Sequence, residues 1–303
     1  MKILSFGSLN LDYVYAMDHF VEPGETTAAS GRSIHRGGKG LNQSVALAQA
    51  GAETYHAGRI GTDGTMLKDW LTVKGVDVSL LETDTGIPTG HAIIQVVPSG
   101  QNSIIILAGT NGSITEAFVD EMLTHFEPGD LMLLQNETSC RDYAIEKAAE
   151  KGMKVAINPS PMTDELASSP ALKHVSYFIL NEIEGKAVTG ETDPDAICKK
   201  MKEMFPDGIV VLTLGGDGAV YYDGVNRYSH GIYPVKAVDT TAAGDTFAGY
   251  FLATLAAGET AQTALQRASK AAAIAVTRPG ASDSIPTLEE VLTMDLGEPL
   301  AGK

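Results

Sequence analysis

The chain has 303 residues, 44% of them hydrophobic and 20% charged, which is enough apolar material for a sizeable core in one large α/β domain or two small ones. Its formal net charge of −16 disfavours nonspecific binding to nucleic acid or to an anionic membrane, because both carry charge of the same sign. The two cysteines, Cys140 and Cys198, share no short spacing and read as free thiols of a reducing compartment rather than a disulfide or metal site.

The first residues form a strand-like apolar run that Gly7, Asn10 and Asp12 interrupt, too short and polar for a signal peptide. No stretch approaches the roughly 18 apolar residues of a membrane span, so a cytoplasmic protein is expected. In Gly7-Ser8-Leu9-Asn10-Leu11-Asp12, the side chains of Asn10 and Asp12 point to one side of an extended chain and could hold neighbouring hydroxyls of one sugar. An Asx turn accounts for the pair equally well. Residues 12–36 are helix-poor and read as extended chain.

Gly37-Gly38-Lys39-Gly40-Leu41-Asn42-Gln43 then leads into a predicted helix over 44–50. Its glycines allow close backbone approach, and Lys39 and Asn42 lie one helical turn apart. The segment is not a P-loop, since Lys39 lacks a following Ser or Thr. The absence of Gly-x-Gly-x-x-Gly after the first strand counts against a dinucleotide-binding oxidoreductase. Further on, residues 92–97 and 103–107 are β-rich runs around a Pro98-Ser99-Gly100-Gln101-Asn102 turn. With 12–36, the segment 86–108 is expected to form a small sheet over the main body, covering a ligand, a second subunit or both.

From residue 131 onward strands and helices alternate: strand 131–135, helix 141–151, strands 154–158 and 176–180, helices 182–188 and 195–205, and strand 208–214. Short apolar strands alternating with helices predict a mostly parallel sheet covered on both faces, with ligands beyond the carboxyl ends of the strands. Asn10, Glu137, Asn158, Asn181 and Thr213 fall at such ends. Asn181 with Glu184 has the spacing of a capping box, and equally of a nucleotide-phosphate contact beside a carboxylate on a magnesium-bound water. Thr213-Leu214-Gly215-Gly216-Asp217-Gly218 is a hairpin or a platform for a base and ribose.

A strand-like run over 232–238 precedes Asp239-Thr240-Thr241-Ala242-Ala243-Gly244-Asp245-Thr246-Phe247, which opens an apolar helix over 246–256. Small residues at 242–244 let backbone N–H groups crowd around an anion at that helix N-terminus, with Asp245 in the first turn beside it. A phosphate cradle with an adjacent base suits phosphoryl transfer to an alcohol, although a simple capped helix reads the same way.

Taken in order, the N-terminal Gly-Ser-x-Asn-x-Asp, Gly-Gly-Lys-Gly-x-Asn-Gln, Asn-Glu-x-Glu, Asp-Thr-x-Ala-Ala-Gly-Asp-Thr-Phe and the tail from Ala275 through Arg278 and Gly280 to Ser284 resemble the ribokinase family of PfkB-type carbohydrate kinases over almost the whole chain. The resemblance implies one kinase domain over 1–303, a three-layer α/β/α body with a mostly parallel sheet, and a β-sheet lid that doubles as a homodimer interface. It implies ATP-dependent phosphorylation of the terminal hydroxyl of ribose. By match, Asp245 is the base, and the N–H groups around Ala242, Ala243 and Gly244 form the anion hole. Asn10, Asp12, Gly38, Lys39, Asn42 and Glu137 hold the sugar. Asn181, Thr213, Leu214, Gly215, Gly216, Asp217, Gly218, Gly244 and Ser269 contact the nucleotide, and Glu184 influences Mg2+ through water. Asp239, Thr241, Ala275, Arg278, Gly280 and Ser284 hold a monovalent cation, usually K+. Ser269 replaces a more usual His or Asn, and Leu180 a proline. Other acceptors (a nucleoside or pseudouridine, deoxyribose, a hexose) keep the same chemistry. A silent sugar- or nucleotide-binding sensor is the reading from another class.

Overall fold

The computed structural model describes residues 1–302. Its strands are β1 (Ile3–Phe6), β2 (Asn10–Ala16), β3 (Gly31–Gly37), β4 (Thr54–Gly61), β5 (Asp77–Asp84), β6 (Gly90–Val96), β7 (Asn102–Leu107), β8 (Leu131–Leu134), β9 (Lys154–Ile157), β10 (Tyr177–Asn181), β11 (Ile209–Thr213), β12 (Ala219–Tyr222) and β13 (Arg227–His230). Its helices are α1 (Lys39–Gln49), α2 (Thr65–Val73), α3 (Glu116–Leu123), α4 (Arg141–Glu150), α5 (Asp164–Ala167), α6 (Glu182–Thr189), α7 (Pro194–Met204), α8 (Ala243–Ala256), α9 (Ala261–Ala275) and α10 (Leu288–Thr293).

Nine strands form the main sheet in the order β13-β12-β11-β10-β9-β8-β1-β4-β5. All neighbours are parallel except β11–β12 and β12–β13. Strand periodicity divides the apolar residues between two faces. Ile3, Leu131, Leu133 and Ile179 pack with Leu41, Val45, Phe247 and Phe251 from α1 and α8. Their neighbours Leu4, Phe6, Met132 and Leu134 pack on the opposite side with Phe118, Ile145 and Ile197. Both faces being covered, the central strands are apolar throughout, as three α/β/α layers require.

A second, four-stranded sheet runs β3-β2-β6-β7. It draws on both expected excursions, with the chain between Met17 and Ser30 forming no strand or helix. Pairing sets Asp12 opposite Ala92 and His35, and Ala92 opposite Ile106. Asn10, Asp12, Ile94, Val96, Ile104 and Ile106 therefore share one face, while Tyr13, Ile93, Ile105 and Leu107 share the other.

Three expectations about local structure need correction. The helix expected over 44–50 begins at Lys39, because Gly38 at φ 96° turns the chain straight from β3 into it. A side chain there would also meet Ser8 O at 2.6 Å. Residues 232–238 are not a strand. They run extended along the end of α9, where Val238 N–H donates to Val276 O at 2.7 Å, and belong to no sheet. Helix α8 starts at Ala243, three residues before the expected 246, so Asp245 lies within its first turn.

Candidate active site

Two adjoining cavities meet at the N-terminus of α8. One, of about 490 Å³, is mostly apolar, with Ile232, Tyr233, Val235, Phe247, Ala272 and Val276 in its wall. Asn181, Thr213, Gly215, Gly216, Gly218 and Ser269 complete it. The other, of about 240 Å³, is lined by Lys39, Asn158, Ser160, Glu184 and Asp245. Asn181, Thr213, Thr240, Ala243 and Gly244 border both. A flat apolar ligand continuous with a charged one fits this pair of spaces.

The junction is shaped by backbone. Ala242 sits in the left-handed region at φ 60°, a conformation that a non-glycine residue adopts only where its surroundings impose it. It and the three residues that follow line the polar cavity. Ala243 N–H is engaged by Thr240 O at 3.2 Å, whereas the N–H groups of Ala242, Gly244 and Asp245 have no protein acceptor among the described residues. Unpaired donors at the positive end of a 14-residue helix are chemically suited to an anion. Lys39 adds the cation in the cavity wall.

Asp245 is 6% exposed and held at both oxygens. Asn42 Nδ2 donates to Oδ2 at 3.0 Å, and Gln43 Nε2 donates to Oδ1 at 2.8 Å. Gln43 Nε2 also reaches Asn158 Oδ1 at 3.0 Å, and Gln43 Oε1 accepts from Gln135 Nε2 at 2.7 Å. Asn42 Oδ1 is buried without a hydrogen-bond partner among the described residues.

The residues expected to hold a sugar lie on the lid side of Asp245. Ser8 donates its hydroxyl to Glu137 Oε2, and Lys39 N–H approaches the same oxygen at 3.3 Å. The Asp12 carboxylate fills the space that a Cβ at Gly37 would need. Burial, and then the negative charge of Glu137, push the Asp12 carboxyl up to about 6. Burial also raises Glu137, against the pull of Ser8 and Lys39. Asn111, which the sequence reading does not single out, fixes Asn10: its Nδ2 donates to Asn10 Oδ1 at 2.8 Å, and Leu9 N–H donates to its Oδ1 at 3.0 Å.

Asn181 and Glu184 form the full capping box of α6. Glu184 Oε2 accepts from Asn181 N–H at 2.9 Å, no described residue engages Oε1, and Glu184 lines the polar cavity. Leu214 and Asp217 do not line the cavities, unlike the other residues of their turn. Leu214 is turned into the core on the opposite face, and Asp217 is exposed.

The expected cation residues converge in part. Asp239 Oδ1 accepts from Thr241 N–H at 2.9 Å and its hydroxyl at 2.6 Å, and Oδ2 accepts from Gly280 N–H at 2.9 Å. Ala275 O accepts from Arg278 N–H at 3.1 Å. The Arg278 guanidinium instead pairs with Glu290 at 2.6 Å, leaving its backbone as the part near the loop. The Ser284 hydroxyl is buried and donates to Ala281 O at 2.8 Å. No helix among the described residues is long and apolar enough to cross a membrane, and both cysteines are free thiols.

Unpaired helix N–H groups and a held carboxylate at the carboxyl edge of a parallel sheet suit phosphoryl transfer. The chain belongs to the pfkB family of carbohydrate kinases, which it matches over residues 1–288. It is 37% identical to the ribokinase of Haemophilus influenzae over 295 residues, covering 94% of this chain and 95% of that one. It is 30% identical to the deoxyribokinase of Salmonella typhi, covering 96% and 97%. The structure of Arabidopsis thaliana ribokinase complexed with ribose and ATP superimposes with a TM-score of 0.85 at 28% identity, over 96% of this chain and 97% of that one. The expected layered fold and kinase class rest on these matches together with the architecture above.

Proposed function

We propose that this protein transfers the γ-phosphoryl group of ATP to the terminal hydroxyl (O5) of D-ribose, giving ribose 5-phosphate and ADP. The observation that carries the reading is Asp245: a buried carboxylate, held at both oxygens, in the first turn of a helix whose free N–H groups face a cavity bearing Lys39. Similarity to ribokinases, 37% identity to that of Haemophilus influenzae among them, supports ribose as the acceptor.

Adenine and its ribose occupy the apolar cavity between Thr213, the Gly215–Gly218 turn and Ser269, and the phosphates the polar one. The sugar lies between Asp245 and the lid, its hydroxyls held by Asn10, Asp12, Lys39, Asn42 and Glu137 against Gly38. Asp245 accepts the O5 proton as the bond to phosphorus forms. The free N–H groups of 242–245 and the Lys39 ammonium hold the charge on the transferring group. Glu184, in the wall of the polar cavity, would hold Mg2+ through a water, and the ion would neutralise phosphate charge. The Asp239–Ser284 cluster offers one carboxylate among neutral oxygens, a low-charge hard donor set that suits K+. Six exposed residues of β7, four of them Ile or Leu, suit a homodimer contact through the lid. The chain reads as one kinase domain over 1–303 that works in the cytoplasm.

A coupled ADP-release assay with ATP, Mg2+ and K+ across ribose, deoxyribose, fructose, adenosine and pseudouridine tests the reading. Ribose should give the highest kcat/KM. A higher value for another acceptor would move the substrate assignment, and silence on all of them with binding intact would favour a sensor.

A further inference from the structure

Arg36 is the penultimate residue of β3, one position before the Gly37-Gly38 turn that seats Asp12 and opens α1. Its side chain leaves the lid and crosses to the opposite end of the sequence. The guanidinium carbon stands 3.9 Å from the centre of the Trp70 ring, and Nη2 donates to Asp283 Oδ1 at 2.6 Å. Trp70 itself donates from Nε1 to Ser282 Oγ at 2.9 Å, and Ser282 is fully buried. Lys74 covers the ring at 4.7 Å.

The segment that Arg36 and Trp70 grip, Ser282–Asp283, is continuous with Gly280, whose N–H holds Asp239 Oδ2, and with Ser284. Asp239 in turn braces Thr241, three residues before the first unpaired N–H inside α8, that of Gly244. The loop after α9 is thus fastened on one side to the anion-site loop and on the other to the lid strand beside the sugar carboxylates.

We infer that the Arg36–Asp283 contact over Trp70 couples sugar binding to the order of the 279–284 loop, so that a cation held by that loop tightens the sugar and the sugar tightens the cation. This rests on the cation placement proposed above. A lone ion pair at this exposure is weak, but Arg36 is also stacked on an aromatic face, which fixes the guanidinium plane and makes the link directional. Coupling is reciprocal, so either ligand reports it. Arg36 and Asp283 touch neither substrate, and both are positioning residues.

Trp70 is the only tryptophan of the chain, and its fluorescence reads the contact directly. The experiment is a calorimetric and fluorescence titration of ribose into the full chain, with and without KCl at constant ionic strength. Wild type, Arg36→Met, Asp283→Asn and the double variant are compared, with thermal melts to confirm folding. In wild type, KCl should tighten ribose by about fivefold. Ribose should also shift the Trp70 emission. In each single variant the KCl effect should fall below about twofold, and the double variant should match the singles. At saturating ribose and KCl, kcat should stay near wild type.

An unchanged KCl effect in folded Arg36→Met and Asp283→Asn overturns the inference, as does wild-type protein that binds ribose with no response to KCl. Failure of ribose to bind or react at all would instead strike the proposed function.

Discussion

Gln43 links Asp245 to two further strand ends: one amide nitrogen lies 2.8 Å from Asp245 Oδ1 and 3.0 Å from Asn158 Oδ1, while Gln135 holds its carbonyl oxygen at 2.7 Å. With Asn42 on the other oxygen, Asp245 cannot rotate without breaking buried hydrogen bonds. Replacing Gln43 with Leu frees one Asp245 oxygen and strands the Gln135 amide, at about 1–3 kcal/mol for each buried group left unpaired. A misaimed base should lower kcat by roughly 10- to 100-fold, with little change in KM for either substrate. Steady-state kinetics and a thermal melt decide the matter: a lower Tm with unchanged kcat would make Gln43 purely structural.

Asp245→Asn keeps the side chain's size, turns one of its two acceptors into a donor, and removes the proposed proton acceptor. The expected loss in kcat is about 10²- to 10⁴-fold, the usual worth of a positioned general base. Calorimetry should find ribose and nucleotide bound about as tightly as before. A variant that turns over near the wild-type rate would mean that the proton leaves by another route.

The layered fold was legible because its signals are local. Apolar strand runs at 131–134, 154–157 and 209–213, capping-box spacing at Asn181–Glu184 and turn residues at Gly215–Gly218 carry their structure in their own composition. Edge strand β5 was not legible, since Asp77–Asp84 is exposed or half-buried except at Leu81 and shows little apolar run. Residues 232–238 misled for the opposite reason: an apolar run suited to a strand is used to line a cavity. Within the site, Asp245, Lys39 and Asn42 stand in recognisable motifs, and Glu137 stands just past a strand end. Asn111 and Gln135 were not legible, because their contacts with Asn10 and Gln43 span 101 and 92 residues of sequence. The left-handed Ala242 was hidden too, as alanine is not a residue that announces a positive φ.

If Asp12 and Glu137 hold the sugar as proposed, sugar binding should depend on pH. With the Asp12 carboxyl raised to about 6 in the free protein, native stability from this group is present below its ordinary value near 3.8 and is lost as pH rises through 6. Sugar hydroxyls donate to the ionised form, so ribose binding runs the other way. Affinity should weaken by up to about tenfold per pH unit below 6, where one proton must be released on binding. Because burial also raises Glu137, the midpoint belongs to the pair rather than to one residue. Calorimetric titration from pH 5 to 8 on wild type and Asp12→Asn checks this. The variant should bind more weakly at pH 8 with a flatter profile, and should melt higher than wild type at that pH.

Strand β7 is the free edge of the lid, and Ile104, Ile105, Ile106 and Leu107 are 48–65% exposed on it. A long apolar edge strand left open to water invites association, and fully burying each such side chain is worth about 1.5–3 kcal/mol. Ile104 and Ile106 lie on the same face as Asp12 and Ile94, so a partner covering that face would also close the space above the sugar. The wild-type chain should therefore sediment as a dimer at micromolar concentration. Glutamate at both 104 and 106 should convert it to a monomer with an unaltered melting profile and a raised KM for ribose, while the nucleotide KM stays put. A dimer that survives this double substitution would place the interface elsewhere, and a wild-type monomer would remove the lid's role in assembly.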